Sequence, residues 1–161
     1  MIVHAGLIAR QVGGRWRGVL IEGPPGAGKS DLALRALSRG FTLVADDRVL
    51  VFAAGGRLYG RAPDTLTGLI EARGVGVIRR NPLPFAAIAL VARCVAEPGE
   101  VERLPEPTRR DLLGQSLPAL DVWPFEPSAP AKLTAALEHL GGRGQQGYLA
   151  RFAPPSGREG A

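Results

Sequence analysis

Eight consecutive residues match the phosphate-binding pattern G-x-x-x-x-G-K-[ST], and they are Gly23, Pro24, Pro25, Gly26, Ala27, Gly28, Lys29 and Ser30. We call them the glycine-rich loop. Glycines let backbone N–H groups close around phosphate oxygens, and the N-terminus of a following helix favours the same anion. In this pattern the lysine ammonium reaches the β- and γ-phosphates, and the final hydroxyl binds Mg²⁺. The loop therefore predicts a nucleotide-binding site.

The residues on either side of the glycine-rich loop fit this interpretation. Residues 18–21 form an apolar, strand-like run, and residues 31–37 have the pattern of a helix. The chain contains eighteen arginines but only two lysines, and one of the two is Lys29. Motif and context together predict a strand, a phosphate-binding loop and a helix in this order.

Acidic residues follow the loop at positions where phosphoryl transfer needs them. Asp46 and Asp47 come directly after the apolar run 41–45, at the end of a strand where an α/β sheet presents its ligands. Because successive strand residues face opposite sides, a regular strand would turn one aspartate towards the phosphates. Glu71 and Arg73 add an acid and an arginine beside glycines that allow close approach of the backbone.

The hydrophobic pattern predicts an α/β fold: a P-loop (Walker A) nucleotide-binding domain with a β-rich central sheet and two principal helices. The predicted strands are 3–12, 17–21, 41–45, 48–53, 57–60, 85–95 and 117–122, and the helices are 31–37 and 130–140. We expect residues 97–116, which are polar and rich in proline, to form a mobile surface loop. The domain should cover residues 1–140, and residues 141–161 have the composition of a disordered tail.

Composition narrows the class of protein. A chain of 161 residues with 45% apolar and 22% charged residues is typical of a single soluble domain. It has no apolar run of about 20 residues and no signal-peptide pattern, so we expect no membrane span. The lone Cys94 lies in an apolar run, which indicates a buried strand residue and fits the cytoplasm. The net charge of +5 comes from dispersed arginines, so nucleic acid is not an expected partner.

An ordered set of motifs resembles the catalytic domain of bacterial HPr kinase/phosphorylase over roughly residues 3–140. After the glycine-rich loop come Arg39-Gly40, Leu43-Val44-Ala45-Asp46-Asp47, Ala62-Pro63 and Ile70-Glu71-Ala72-Arg73-Gly74-Val75-Gly76. The resemblance implies a kinase that transfers phosphate from ATP to a serine of HPr, the small phosphocarrier of the sugar phosphotransferase system. It also implies the reverse phosphorolysis, in which inorganic phosphate attacks phosphoserine and releases pyrophosphate.

The resemblance also implies roles for individual residues. Lys29 corresponds to the lysine that binds phosphate, and Ser30 and Glu71 correspond to residues associated with Mg²⁺. Asp47, the second of the pair, corresponds to the base that takes the serine proton and returns it in the reverse reaction. His4 matches an active-site histidine that precedes the loop in this family.

Four further residues complete the predicted site. Arg103 falls where the family has a catalytic arginine, and Asp46 and Arg73 are supporting residues. The family's basic segment for phosphorolysis corresponds to residues 123–132, which contain no arginine, so Lys132 is the candidate substitute. The chain begins almost at the catalytic domain, and we expect a short form without the family's N-terminal domain. The family forms hexamers, so a homo-oligomer is one alternative, but a truncated member need not form one and the sequence leaves the oligomeric state open.

Two other classes of function remain open at this point. A small-molecule kinase also begins with a phosphate-binding loop in a short chain, although the predicted hairpin after Asp46 and Asp47 argues against its regular βαβ alternation. A non-catalytic nucleotide-sensing module would need the loop but not the base Asp47. Turnover of ATP without a protein substrate would favour the small-molecule kinase, and nucleotide binding without transfer would favour the sensing module.

Overall fold

The computed structural model describes residues 1–139. In this range the chain forms eleven strands and two α-helices: β1 (Ile2–Val3), β2 (Ala5–Val12), β3 (Arg15–Glu22), α1 (Lys29–Leu37), β4 (Thr42–Ala45), β5 (Val49–Ala54), β6 (Arg57–Arg61), β7 (Leu69–Ala72), β8 (Gly76–Arg79), β9 (Ala86–Cys94), β10 (Thr108–Leu112), β11 (Gln115–Val122) and α2 (Ala129–His139). Single turns of 3-10 helix lie at Asp64–Leu66 and Pro98–Glu100. The predicted α/β fold, with a β-rich sheet and two principal helices, is confirmed.

Nine of the strands form one sheet, in which β9 is the central member. The main path runs β1-β5-β6-β9-β3-β2-β4, and β7 pairs with β8 in a separate hairpin. Strands β3 and β11 both pair with β9 in parallel, and β10 pairs with β11. Strand β4 has the same direction as β3, because both are antiparallel to β2. The carboxyl ends of β3, β4, β9 and β11 therefore lie at one edge of the sheet, which we call the loop edge.

Apolar side chains cover both faces of this sheet. Ile8 and Ile21 belong to the core that packs against α1 and α2, and it includes the fully buried Leu133. Leu7 and Leu20, one position away on the same strands, belong to a second core on the opposite face. This arrangement follows from the alternation of side chains along a strand. Both helices consequently lie on one face, and α1 leads away from the loop edge.

The predicted loop at residues 97–116 is wrong for its second half. Thr108–Leu112 is strand β10, which pairs with β11 across a two-residue turn. Leu113 and Gly114 form that turn with φ values of 46° and 75°, as expected for a tight hairpin whose two central residues both need positive φ. The prolines that suggested a loop precede the strand and do not interrupt it.

The other predicted elements agree with the structure in type, with boundaries that differ by a few residues. Of the helix predicted at 130–140, α2 accounts for the part up to His139. The last residue of that prediction and the predicted tail at 141–161 lie outside the described residues. Among residues 1–139, no helix is both long enough and apolar enough to cross a membrane.

Candidate active site

The glycine-rich loop connects β3 to α1 at the loop edge. Gly26 and Gly28 adopt positive φ values of 78° and 98°, which glycine reaches without steric cost. Gly28 is the residue that caps α1, and no side chain caps the N–H groups of the first helical turn. Free N–H groups at a helix N-terminus are good ligands for an anion. The loop can therefore bind a phosphate group with its backbone.

The ammonium group of Lys29 lies inside the loop and not in solvent. Lys29 Nζ donates hydrogen bonds to the carbonyl oxygens of Gly23 at 2.7 Å and Pro24 at 2.9 Å. The residue is only 8% exposed. A buried cation needs such partners, because desolvation without them is costly. The positive charge is thus held at the loop, where phosphate oxygens could compete for the same hydrogens.

Asp46 is a buried carboxylate that joins three elements of the site. Ser30 Oγ donates to Asp46 Oδ1 at 2.8 Å, and the backbone N–H of Glu71 donates to Asp46 Oδ2 at 3.0 Å. Asp46 is 6% exposed, and both of its oxygens have a partner. The contacts connect the end of β4 to the start of α1 and to β7. The sequence placed Asp46 near the site but did not predict its bond to Ser30.

Asp47 has a different environment from its neighbour. Strand β4 ends at Ala45, and Asp47 lies in a turn with φ of 66°, which aspartate tolerates better than most residues. Its side chain is 56% exposed, and Asp47 Oδ1 lies 3.5 Å from His4 Nδ1. Arg48 Nε lies 3.8 Å from the other oxygen. The structure therefore brings the predicted pair His4 and Asp47 together, beside the contact between Asp46 and Ser30.

Glu71 and Arg73 belong to the β7–β8 hairpin next to Asp46. The backbone of Glu71 is fixed by Asp46, whereas its side chain is exposed. Arg73 lies in the turn between β7 and β8 and is also exposed. Because both side chains are exposed, they can contact a ligand that approaches the loop edge from solvent.

The last two predicted residues lie in segments that leave the sheet at the loop edge. Arg103 is exposed in the segment between β9 and β10; this segment follows the carboxyl end of β9 and precedes β10, which is antiparallel to β11. Lys132 lies on α2, where its Nζ is 2.5 Å from Glu126 Oε1. Arg103 therefore stays a prediction, and Lys132 is paired with an acid of the segment that follows β11.

Comparison with known proteins identifies the family. The family model described as HPr Serine kinase C-terminal domain matches residues 3–83, which is half of the chain. The chain belongs to the HPr serine kinase C-terminal domain family. The match includes the glycine-rich loop, His4, Asp47 and Glu71, whereas Arg103 and Lys132 lie beyond it.

Individual relatives agree with this assignment. The HPr kinase/phosphorylase of Polaromonas naphthalenivorans (strain CJ2) is 39% identical over 110 residues, which are 60% of this chain and 34% of the relative. The HPr kinase/phosphorylase of Streptococcus thermophilus (strain ATCC BAA-491 / LMD-9) is 53% identical over 62 residues, which are 38% of this chain and 20% of the relative. The chain therefore covers about a third or less of the length of these relatives.

A solved structure supports the fold over nearly the whole chain. The HPr(Ser) kinase/phosphatase from Coxiella burnetii superposes with a TM-score of 0.73 at 22% sequence identity. The superposition covers 94% of this chain and 96% of that one. The α/β architecture described above is therefore the architecture of a known HPr(Ser) kinase/phosphatase.

The segment that follows β11 lies beside the glycine-rich loop, a contact that the sequence alone does not indicate. Residues 123–126 follow β11, and a Cβ atom at Gly28 would lie 2.8 Å from Phe125 Cζ. Arg35 on α1 donates to the carbonyl oxygens of Pro124 and Glu126, and Arg35 itself is paired with Asp31 at 2.9 Å. The spacing of Asp31 and Arg35 is a recognisable helical pair, but the sequence does not show what else Arg35 binds.

A second contact that the sequence does not indicate holds the end of β3, the strand that leads into the glycine-rich loop. Glu22, the last residue of β3, accepts hydrogen bonds from Arg110 Nε at 3.1 Å and from Arg110 Nη2 at 3.3 Å. The hydrogen bonds to Glu22 and its negative charge raise the pKa of the Arg110 guanidinium above its usual value. Because Arg110 lies in the segment predicted as a loop, the sequence could not indicate this pair.

Cys94 lies directly behind the glycine-rich loop, at the end of β9. A Cβ atom at Gly23 would be 3.0 Å from Cys94 Cβ. Burial raises the pKa of the Cys94 thiol to about 11, although the nearby positive charge of Lys29 acts in the opposite direction. The thiol is therefore uncharged at neutral pH and serves as a small apolar side chain. The prediction of a buried strand residue is confirmed.

Proposed function

We propose that this chain is the catalytic unit of an ATP-dependent kinase that phosphorylates a serine of an HPr-type phosphocarrier. The observation that carries the proposal is the contact between Ser30 Oγ and the buried Asp46, next to the exposed pair Asp47 and His4. A phosphate-binding loop, an acid behind its serine and a second acid open to solvent are the parts that phosphoryl transfer requires. We take residues 1–140 as the catalytic domain.

The glycine-rich loop would bind the phosphates of ATP. The uncapped N–H groups at the start of α1 and the backbone N–H groups of Gly26 and Gly28 supply hydrogen-bond donors, whereas Pro24 and Pro25 have no N–H to donate. Lys29 supplies the positive charge, since its ammonium group lies 2.7 Å from the loop carbonyl of Gly23. Together they would neutralise part of the charge that attack on the γ-phosphate must overcome.

The residues around Ser30 fit a magnesium ion. Ser30 Oγ and the Asp46 carboxylate are hard oxygen donors 2.8 Å apart, and Glu71 adds an exposed carboxylate on the neighbouring strand. Within residues 1–139 no group of three or more His, Cys, Asp or Glu side chains could hold a metal alone. Mg²⁺ usually takes one or two carboxylates with phosphate oxygens and water. When bound, the ion would neutralise charge on the phosphate oxygens.

Asp47 is the proposed proton acceptor. As the substrate serine oxygen bonds to the γ-phosphorus, the bond to the leaving oxygen of ADP breaks and the serine proton passes to the Asp47 carboxylate. The exposed position of Asp47 permits contact with a protein substrate, and His4 at 3.5 Å can hold the carboxylate in place. In phosphorolysis the proton would return from Asp47 to the serine oxygen as pyrophosphate forms.

The remaining predicted residues would act at the edge of this site. Arg73 would contact phosphate or substrate from the β7–β8 turn, and Arg103 would contact them from the exposed segment between β9 and β10. Lys132 is paired with Glu126 at 2.5 Å, so its support of phosphorolysis would require that pair to open. We accordingly expect the reverse reaction to be weaker than the kinase reaction.

The proposed substrate also implies where the protein acts and how the carrier docks. A kinase of a phosphotransferase carrier would act in the cytoplasm and dock the carrier serine beside Asp47. The sequence leaves the oligomeric state open, and light scattering of the purified protein would show whether it forms the hexamer of the family. Neither a membrane nor a nucleic acid is part of the proposal.

Phosphate transfer to HPr tests the proposed function directly. Purified protein would be incubated with Mg-ATP and the HPr of the same organism, and the phosphorylated residue would be identified by mass spectrometry. We expect phosphate on one serine of HPr, and none with Lys29→Ala. Arg15→Ala is a control for loss of a positive charge, because Arg15 is exposed at the start of β3, at the end opposite the loop. Hydrolysis of ATP without HPr phosphorylation would contradict the assignment and favour a small-molecule kinase.

A further inference from the structure

Phe125 is an exposed aromatic side chain beside the glycine-rich loop. Half of its surface is exposed to solvent, and it belongs to neither apolar core of the sheet. Its ring nevertheless lies against Gly28, because a Cβ atom at Gly28 would be 2.8 Å from Cζ and 2.9 Å from Cε1. The Trp123 ring meets it edge-on at a centroid distance of 6.3 Å. One face of the loop is thus lined by an aromatic surface that solvent can reach.

The segment that carries Phe125 is held in a fixed position relative to the loop. Arg35 donates to the carbonyl oxygens of Pro124 and Glu126, which flank Phe125 on both sides. Arg35 belongs to α1, the helix that begins with the glycine-rich loop. Because one helix determines the position of both the loop and the segment, the distance from bound phosphates to the Phe125 ring is set by the fold.

The order of the strands indicates how a nucleotide would be oriented along the loop edge. Ligands of parallel sheets bind outside the carboxyl ends of the strands. At the loop edge, β11 with Phe125 lies on one side of β3, beyond β9, and β4 with Asp46 and Asp47 lies on the other side, beyond β2. A phosphate chain bound at the end of β3 with its reacting end towards Asp47 would therefore have its nucleoside end towards β11. Phe125 is the exposed aromatic residue on that side.

We propose that Phe125 is the residue against which the base of the nucleotide stacks, and that it makes the site prefer a nucleoside triphosphate over phosphates alone. The inference rests on the proposed function, since it assumes that the glycine-rich loop binds the phosphates of a nucleotide. A planar base gains from stacking on an aromatic face, and each base has such a face. Phe125 thus strengthens the binding of the nucleoside part without discriminating strongly between bases.

The test compares two ligands that differ only in the nucleoside. Dissociation constants for Mg-ATP and for inorganic tripolyphosphate with Mg²⁺ would be measured by calorimetry on the full chain. For Phe125→Ala we expect ATP to bind between about fivefold and a hundredfold more weakly, and tripolyphosphate to bind within about twofold of the wild type. Phe125→Tyr, which keeps the aromatic face, should retain most of the ATP affinity.

Phe85→Ala is the matched control. Phe85 is exposed to a similar degree, 56% against 50%, but it precedes β9 and so lies at the edge of the sheet opposite the loop. It should change neither dissociation constant. Unchanged ATP affinity in Phe125→Ala would overturn the inference, and so would an equal loss for both ligands, because that would assign Phe125 to the shape of the loop. If the wild type bound neither ligand, the proposed function would fail together with the inference.

Discussion

Asp46 and Asp47 are adjacent in sequence, yet the fold gives them different environments. Asp46 is 6% exposed and accepts hydrogen bonds from Ser30 and from the backbone of Glu71. Asp47 is exposed, adopts a left-handed conformation and lies beside His4. A buried, fully bonded carboxylate can orient other groups, whereas an exposed one can reach a substrate. The difference supports separate roles for the two acids.

This difference predicts that the same substitution destabilises the protein at Asp46 and has little effect on stability at Asp47. Asp46→Asn replaces one of two accepting oxygens by a donor, so the free energy of unfolding should fall by about 1–3 kcal/mol. Asp47→Asn should change it by less than about 0.5 kcal/mol, because the site is exposed and asparagine tolerates positive φ. Urea unfolding of both variants measures the contrast. Equal losses would show that Asp46 has no special structural role.

The chemistry of Cys94 gives a prediction that depends on pH. Its pKa is raised from 9.0 to about 11 in the folded protein, so the unfolded chain loses the thiol proton more readily above pH 9. The contribution of this thiol to stability is therefore complete below pH 9 and falls as the pH rises towards 11. At pH 8 the thiolate fraction, and hence the rate of alkylation by iodoacetamide, should be about a hundredfold lower in the folded than in the urea-unfolded protein. Similar rates in both states would contradict the burial of Cys94.

The functional roles of single residues could be predicted from the sequence where the residues belong to a recognisable motif. Contacts that form only through the fold could not be predicted. The glycine-rich loop and the acids after β4 have a recognisable pattern and position. The hydrogen bond from Ser30 to Asp46 is different, because it joins the start of α1 to the residue that directly follows β4. No local pattern in the sequence indicates that these two residues meet. The contact of Phe125 with Gly28 joins residues about a hundred positions apart, and nothing local in the sequence indicates it.

Among the elements, β10 links the edge of the sheet to the strand that enters the loop. Arg110 on β10 forms a two-pronged hydrogen bond with Glu22, whose side chain is 15% exposed. A paired arginine and carboxylate of this geometry is stronger than an ordinary surface ion pair. The hairpin of β10 and β11 thereby helps to hold the end of β3 in place.

The role of β10 can be tested with two neighbouring arginines. Arg110→Ala should lower the free energy of unfolding by about 1 kcal/mol, since Glu22 loses its partner while solvent still screens part of its charge. Arg109→Ala removes a similar side chain that donates hydrogen bonds to Ser116 of the same hairpin, and it should cost less than about 0.5 kcal/mol. Thermal unfolding of both variants gives the comparison. An equal effect would mean that the pair with Glu22 does not stabilise the fold.

Elements with a strong local pattern were predicted well. Two glycine pairs mark the turns of the hairpins β2–β3 and β5–β6, and the long apolar run of β9 indicates a central strand. Strand β10 was missed because it is short and polar and follows prolines. Its identity as a strand depends on pairing with β11, which is a tertiary contact that local sequence does not encode.

At the scale of the whole molecule, the sheet arranges the candidate site as a line along the loop edge. In the proposed site the base would lie beyond β9, the phosphates at the end of β3, and the proton acceptor beyond β2 at the end of β4. The order of strands that produces this line could not be predicted from the sequence, because β9 pairs with β3, which is far away in the chain. The family resemblance suggests the function that we propose, and the fold supplies the geometry of the candidate site.

We propose that Asp47 takes part in the chemistry and not in nucleotide binding. The most direct measurement compares Asp47→Asn with the wild type in two assays: the dissociation constant for Mg-ATP and the rate of phosphate transfer to HPr serine. We predict an ATP affinity within about threefold of the wild type and a transfer rate lower by at least about a hundredfold, in the range expected for loss of a general base. Transfer at the wild-type rate would contradict the claim.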